Sequence, residues 1–173
     1  MRRNAGACLI VLLAALAPVT ACAGTAGMSL TSPAFVAQGV IPRTYTCDGR
    51  NVSPELVINN VPVRAKSLVL IVEDPDAPSG VWTHWIMWNI RPSVRVIRAH
   101  SSPAGAVQGL NDFREQGYGG PCPPGGTHRY FFRLFALDTV LSLGHGATKS
   151  ELENALHGHV LAQTFLEGRY TRK

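Results

Sequence analysis

Three acids, two prolines, one histidine and three tryptophans share the segment 72–90, VEDPDAPSGVWTHWIMWNI. Glu73, Asp74 and Asp76 stand where an apolar run ends, and His84 follows after a turn and the start of a strand. A carboxylate beside an imidazole orients the ring and keeps it partly protonated near neutral pH, and a phosphate-like anion favours the charged ring further. A second segment, 117–138, GYGGPCPPGGTHRYFFRLFALD, brings His128 out of a Gly/Pro-rich loop onto a strongly apolar strand. Loops of that composition expose backbone N–H groups that can cradle an oxyanion. Together, His84 and His128 with Asp74 beside them predict a small anion site. Asp74 is read as a site residue, and Asp76 as partly site and partly turn-forming through an Asx-type hydrogen bond. Trp82, Trp85 and Tyr130 belong mainly to the core, with some of these rings forming pocket walls suited to a phosphate-plus-glycerol head group.

The same side chains admit a metal reading, since two imidazoles and one carboxylate form a known ligand set. No HExxH or CxxC spacing supports it, and no GxSxG elbow marks a serine hydrolase. Cys122, flanked by prolines, lacks the His-paired helix start that lowers a thiol's pKa. The residues therefore point to a binding or regulatory module without metal or cofactor, with a metal-dependent hydrolase as a lesser alternative. For His100, His145, His157 and His159 the sequence identifies no partner.

Strands must flank each loop to position these groups. Residues 67–72 read as a buried strand ended by Pro75 and Pro78. Residues 81–90 read as the next, with Trp82, His84, Ile86 and Trp88 on one face and Thr83, Trp85, Met87 and Asn89 on the other. Further strands are expected at 28–35, 56–61, 129–137 and 160–170, with short ones near 94–97 and 106–108 inside a long loop, 91–120. Thr148 and Glu151 form a capping-box pattern that opens a helix to about His157, where Gly158 stops it. The tally predicts one mainly β domain over residues 29–173, an antiparallel sandwich-like fold with one or two peripheral helices.

DPDAPSG followed by WTHW, and GYGGPCPP followed by THRYFFRLFALD, resemble the two signature regions of the phosphatidylethanolamine-binding protein family, in its bacterial Raf-kinase-inhibitor-like branch. YTCDGRNVSPEL, GLNDF and GHVLAQ extend the resemblance over nearly all of 29–170. It implies a large Greek-key sheet with a smaller one, and an anion pocket of Asp74, Pro78, His84, Gly120, His128 and Tyr130. Arg129 would anchor the loop through a buried salt bridge. A cis bond at Ala77-Pro78 is also implied, in keeping with a tight reversal that aims Asp74 at His84. Relatives in this family include kinase and protease inhibitors. Inhibition of an extracytoplasmic protease or other protein through the 91–120 loop is therefore the alternative function.

Met1-Arg2-Arg3 and the apolar run 7–19 have the form of an export signal, too short to span a bilayer as a permanent helix. Val19-Thr20-Ala21-Cys22 resembles the lipobox of bacterial lipoproteins. That reading makes 1–21 the signal, Cys22 the lipidated anchor on the extracytoplasmic face of the cell membrane, and 22–28 a tether. Ordinary cleavage after Ala23 is the alternative. Cys47 and Cys122 then remain in an oxidising compartment, either as a disulfide or as two small buried thiols. The formal charge of +5 falls to +3 once Arg2 and Arg3 leave, and no Lys/Arg stripe is present. Nucleic acid is therefore not an expected partner, whereas a small anionic or phosphorylated ligand is.

Overall fold

The computed structural model describes residues 27–172. The signal, Cys22 and most of the tether lie outside the described residues. Strands β1 (Ser29–Thr31), β2 (Leu56–Asn59), β3 (Ser67–Asp74), β4 (Trp82–Ile90), β5 (Val96–Ile97), β6 (Val107–Gln108) and β7 (Thr127–Leu137) come first. Helix α1 (Lys149–Leu156) and strand β8 (Val160–Thr171) complete the chain. A small sheet has the order β1-β2-β5 and a large one β6-β4-β3-β7-β8, antiparallel throughout. In the large sheet β3, β4 and β6 are successive neighbours and β7 returns to lie beside β3, which is Greek-key order.

Every residue of β3, SLVLIVED, is buried, because the large sheet is covered on both faces. Leu68, Leu70 and Val72 pack with Leu30, Leu56, Ile58 and Ile97 of the small sheet. Val69 and Ile71 pack with Leu152 and Leu156 of α1. Each such side chain contributes about 1.5–3 kcal/mol by leaving water, so β3 is the most firmly held strand and a rigid base for whatever its end carries. The helix begins as expected: the Thr148 hydroxyl accepts the Glu151 N–H and the Glu151 carboxylate accepts the Thr148 N–H. His157 caps its end, and Gly158 follows at φ +81°. Residues 38–41 close one half of the β8 edge, with Gln38 N–H on Glu167 O and Ile41 N–H on Arg169 O.

Four expectations change. β1 is shorter than 28–35, stopping before Pro33, which cannot donate to a ladder. Met28, assigned to the tether, is half-buried against the core. Ala77-Pro78 is trans, as is every described peptide bond. The reversal is made instead by Asp74 Oδ1 accepting the Asp76 N–H at 2.8 Å and by Gly80 at φ +98°.

The fourth change concerns β4, whose alternation is broken twice. Val72 faces Trp85 but Glu73 faces Thr83, so His84 is an extra residue without a partner across the ladder, a β-bulge. A second irregularity lies between the pairs Leu70–Met87 and Leu68–Ile90, where Asn89 takes φ +55°. Trp85 and Met87 consequently lie on the inter-sheet face, Ile86 and Trp88 on the helix face. His84 joins the inter-sheet side, its ring edge-on to Tyr130 at 5.2 Å, rather than sharing a face with Ile86 and Trp88.

Candidate functional site

The three acids of segment 72–90 take three separate roles. Glu73 points to the helix face, where Arg133 and Lys149 both bind its carboxylate. Asp74 Oδ2 meets His128 Nδ1 at 2.7 Å, with both side chains buried. Asp76 receives the Arg129 backbone N–H at 2.9 Å, Nε at 2.9 Å and Nη2 at 2.6 Å. The forked pair with Arg129 holds the Asp76 carboxyl down to about 2. It fastens the 74–80 turn to the start of β7, so Arg129 is an anchor; the pair is partly exposed rather than buried, at 49% and 28%.

His84 is oriented by backbone, not by Asp74. Its Nδ1 lies 2.6 Å from Gly119 O, which requires the proton on Nδ1 and leaves Nε2 as the ring nitrogen open to other partners. Burial pulls the His84 pKa below its ordinary value, outweighing the Gly119 carbonyl and the Asp74 charge, which act to raise it. The ring is therefore neutral at neutral pH, which corrects the expectation of a partly protonated imidazole. The bulge supplies the geometry, since a regular residue 84 would stay in the ladder opposite Glu73.

His84 and His128 meet at a cavity of about 200 Å³. Asp74 and Ser79 add polar atoms; Pro78, Trp82, Phe113, Pro123 and Pro124 supply apolar walls. Among the described residues, the hydroxyl of Tyr130, whose ring packs against His84, and the Trp82 indole N–H are buried without a hydrogen-bond partner. Burial, followed by the Asp74 charge, pushes the Tyr130 pKa up, so it remains a phenol and a donor. Cys122, also in the wall, is disulfide-bonded to Cys47, with Cα atoms 5.4 Å apart. The bond joins the rim of the cavity to the loop before β2.

Of the seven expected ligand-site residues, Asp74, Pro78, His84 and His128 line the cavity, and Tyr130 backs the His84 ring. Asp76 braces the loop from outside. Gly120 is not in the wall: its N–H donates to Asn51 Oδ1 at 2.8 Å, and a Cβ there would lie 2.5 Å from Tyr45 O. It is glycine because backbone passes backbone, so the loop cradles no anion through that N–H. Trp85 is core, its indole N–H bound to Gln108 Oε1.

Phe113 escaped sequence reasoning. It stands edge-on to both Trp82 at 5.5 Å and His84 at 5.4 Å, closing one side of the cavity. Its signal was GLNDF, where Asp112 Oδ2 accepts the Thr83 N–H at 2.6 Å and so seats the hairpin tip beside β4. His159 has a partner after all, Asp138 at 2.8 Å on the surface. Among the described residues no group of three or more His, Cys, Asp or Glu could hold a metal ion. No helix there is long and apolar enough to cross a membrane.

Known proteins carry the same architecture. A relative in Methanothermobacter thermautotrophicus, a UPF0098 protein, is 54% identical over 150 residues, covering 84% of this chain and 99% of the relative. A crystal structure of a phosphatidylethanolamine-binding protein homologue from Chlamydia trachomatis superposes with TM-score 0.82 at 47% identity, over 85% of this chain and 99% of that one. E. coli YbcL, described as a new member of the mammalian PEBP family, gives 0.81 at 31% identity, over 86% and 100% of the two chains. The family model named phosphatidylethanolamine-binding protein matches residues 31–171, and the chain belongs to that family.

Proposed function

We infer that this chain is an exported, lipid-anchored binding protein whose cavity takes a small anionic or phosphorylated group. One observation carries the reading: both cavity histidines have Nδ1 tied back, His84 to Gly119 O and His128 to Asp74, which leaves Nε2 of each for a ligand. Neutral His84 accepts a hydrogen bond through Nε2, so it suits a phosphate oxygen that carries a proton. His128, when protonated, keeps one N–H on Asp74 and donates the other to an unprotonated oxygen. The buried Tyr130 and Trp82 donors and the apolar walls suit the rest of a compact head group. Anchoring rests on the signal-like segment 1–21 and Cys22.

Calorimetry or histidine NMR on the full chain with phosphoethanolamine and with inorganic phosphate tests the pocket. Binding lost in His84→Ala and in His128→Ala supports the reading; no response to millimolar ligand, or an unchanged response in both variants, refutes it. Labelling cells with palmitate tests the anchor: label present in the parent chain and absent in Cys22→Ala is expected, and label in neither refutes lipidation.

A further inference from the structure

Next to the cavity lies a second, open cleft of about 500 Å³. Ser79 and Trp82 border both hollows. The hairpin tip divides them, Phe113 lining the cavity and Asp112 and Arg114 lining the cleft. The tip is held firmly: Leu110 bridges Gln116, and the Asn111 and Glu115 backbones and the Asn111 side chain close it with hydrogen bonds. Arg114 is thus mounted at a defined place beside the site.

The charges of the cleft are unequally committed. Lys149 is bound by Glu73 and Glu153. Asp112 spends Oδ2 on the Thr83 N–H. Arg114 has no ion-pair partner among the described residues. It also adopts φ +65°, a conformation that glycine or asparagine enters more readily, so the turn itself gives no reason for an arginine. What the position supplies is an uncommitted planar cation on a cleft that shares Ser79 and Trp82 with the histidine cavity. A guanidinium of that kind recognises a carboxylate through paired N–H groups.

Resting on the proposed anion pocket, we propose that the cleft is its second subsite. Arg114 pairs there with a carboxylate on a ligand whose phosphate lies between His84 and His128, the connecting atoms crossing Trp82. The preferred ligand class is then a phosphate ester bearing a nearby carboxylate, the chemistry of a phosphoserine group, over the same ester without one. A free phospho-amino acid and the head group of a serine phospholipid both present it.

The test is calorimetry on the full chain with O-phosphoserine and phosphoethanolamine, in the parent, Arg114→Ala, Arg114→Lys and Arg64→Ala. Arg64 is an exposed arginine in the turn before β3, away from the cleft, and controls for overall charge. Phosphoserine is expected to bind about fivefold tighter than phosphoethanolamine in the parent and in Arg64→Ala, the scale of an exposed arginine–carboxylate contact. In Arg114→Ala that preference disappears while phosphoethanolamine binding is unchanged; in Arg114→Lys part of it remains. Equal affinities in the parent, a preference that survives Arg114→Ala, or one that Arg64→Ala removes equally, overturns the subsite and leaves the anion pocket standing. Failure of both ligands to bind overturns the two together. Vesicles of phosphatidylserine or phosphatidylethanolamine form the other arm: Arg114-dependent retention on the serine vesicles assigns the lipid source, and its absence with intact O-phosphoserine binding assigns the free molecule.

Discussion

Replacing Cys47 and Cys122 together by serine would remove a link between residues 75 apart in sequence. The enclosed chain holds β2 through β6, which includes two strands of the small sheet and the β3–β4 core of the large one. In the chain-entropy treatment, releasing a loop of that length frees the unfolded state by about 15 cal/mol/K, or about 4.5 kcal/mol at 25 °C. Domains of this size have total stabilities of about 5–15 kcal/mol, so the loss would be conspicuous. Urea unfolding of the parent and the double variant measures it. The variant should lose about 4 kcal/mol and unfold with a steeper denaturant dependence, because its unfolded chain, no longer cross-linked, exposes more surface. Iodoacetamide should leave Cys47 and Cys122 of the native parent unmodified unless a reductant is present. A loss under about 1 kcal/mol with an unchanged slope would refute the reasoning. Free thiols at Cys47 and Cys122 in the unreduced parent would refute the bond itself.

Other expectations are more local. Gly120→Ala must push a Cβ against Tyr45 O and Thr46 Cα, both backbone atoms, and should lower thermal stability by at least about 2 kcal/mol, read from the melting curve. Thr148→Ala removes the hydroxyl that accepts the Glu151 N–H, leaving the backbone half of the capping box, and should cost about 1 kcal/mol, measurable as a fall in urea midpoint. His84 has a depressed folded-state pKa, so its stabilising contribution is complete above the unfolded value of 6.5 and is lost as pH falls below it. Compared with His84→Phe, the parent should therefore show an additional loss of stability below pH 6.5, with a slope of at most about 1.4 kcal/mol per pH unit. An NMR titration of His84 that places its pKa above 6.5 would reverse that sign.

Periodicity made the frame legible and bulges hid the site. The apolar 68–72 run, the strand expected at 129–137 and the Thr148/Glu151 box follow local rules that packing does not override, and each appears where expected within a residue or two. His84 and His128 were legible as chemistry, since a histidine beside Gly/Pro-rich or acidic loops stands out in an otherwise apolar strand. Their partners were not. In sequence Asp74 lies far nearer His84 than His128, and only the Glu73–Thr83 pairing, which turns His84 out of the ladder, assigns it to His128 and leaves Gly119 to His84. Gly120 looked like an anion cradle because glycine signals exposed N–H groups and close backbone crossings alike. Phe113 depended on a contact across 29 residues between Asp112 and Thr83, which no pattern within a strand encodes.

The bulge at His84 also divides β4 into two parts that can change independently. From Trp85 onward the strand is locked by packing on both faces, where a change of one methylene group is felt by several neighbours. On the far side of the unpaired residue, Thr83 answers to the hairpin tip and Trp82 to the two hollows it borders. On the proposed reading, substitution of Trp82 changes the wall shared by the two hollows while the packed part of the strand beyond the bulge is untouched. Descendants of one ancestral sandwich could in this way diverge in ligand while keeping their core, the single extra residue acting as the seam between inherited scaffold and variable specificity.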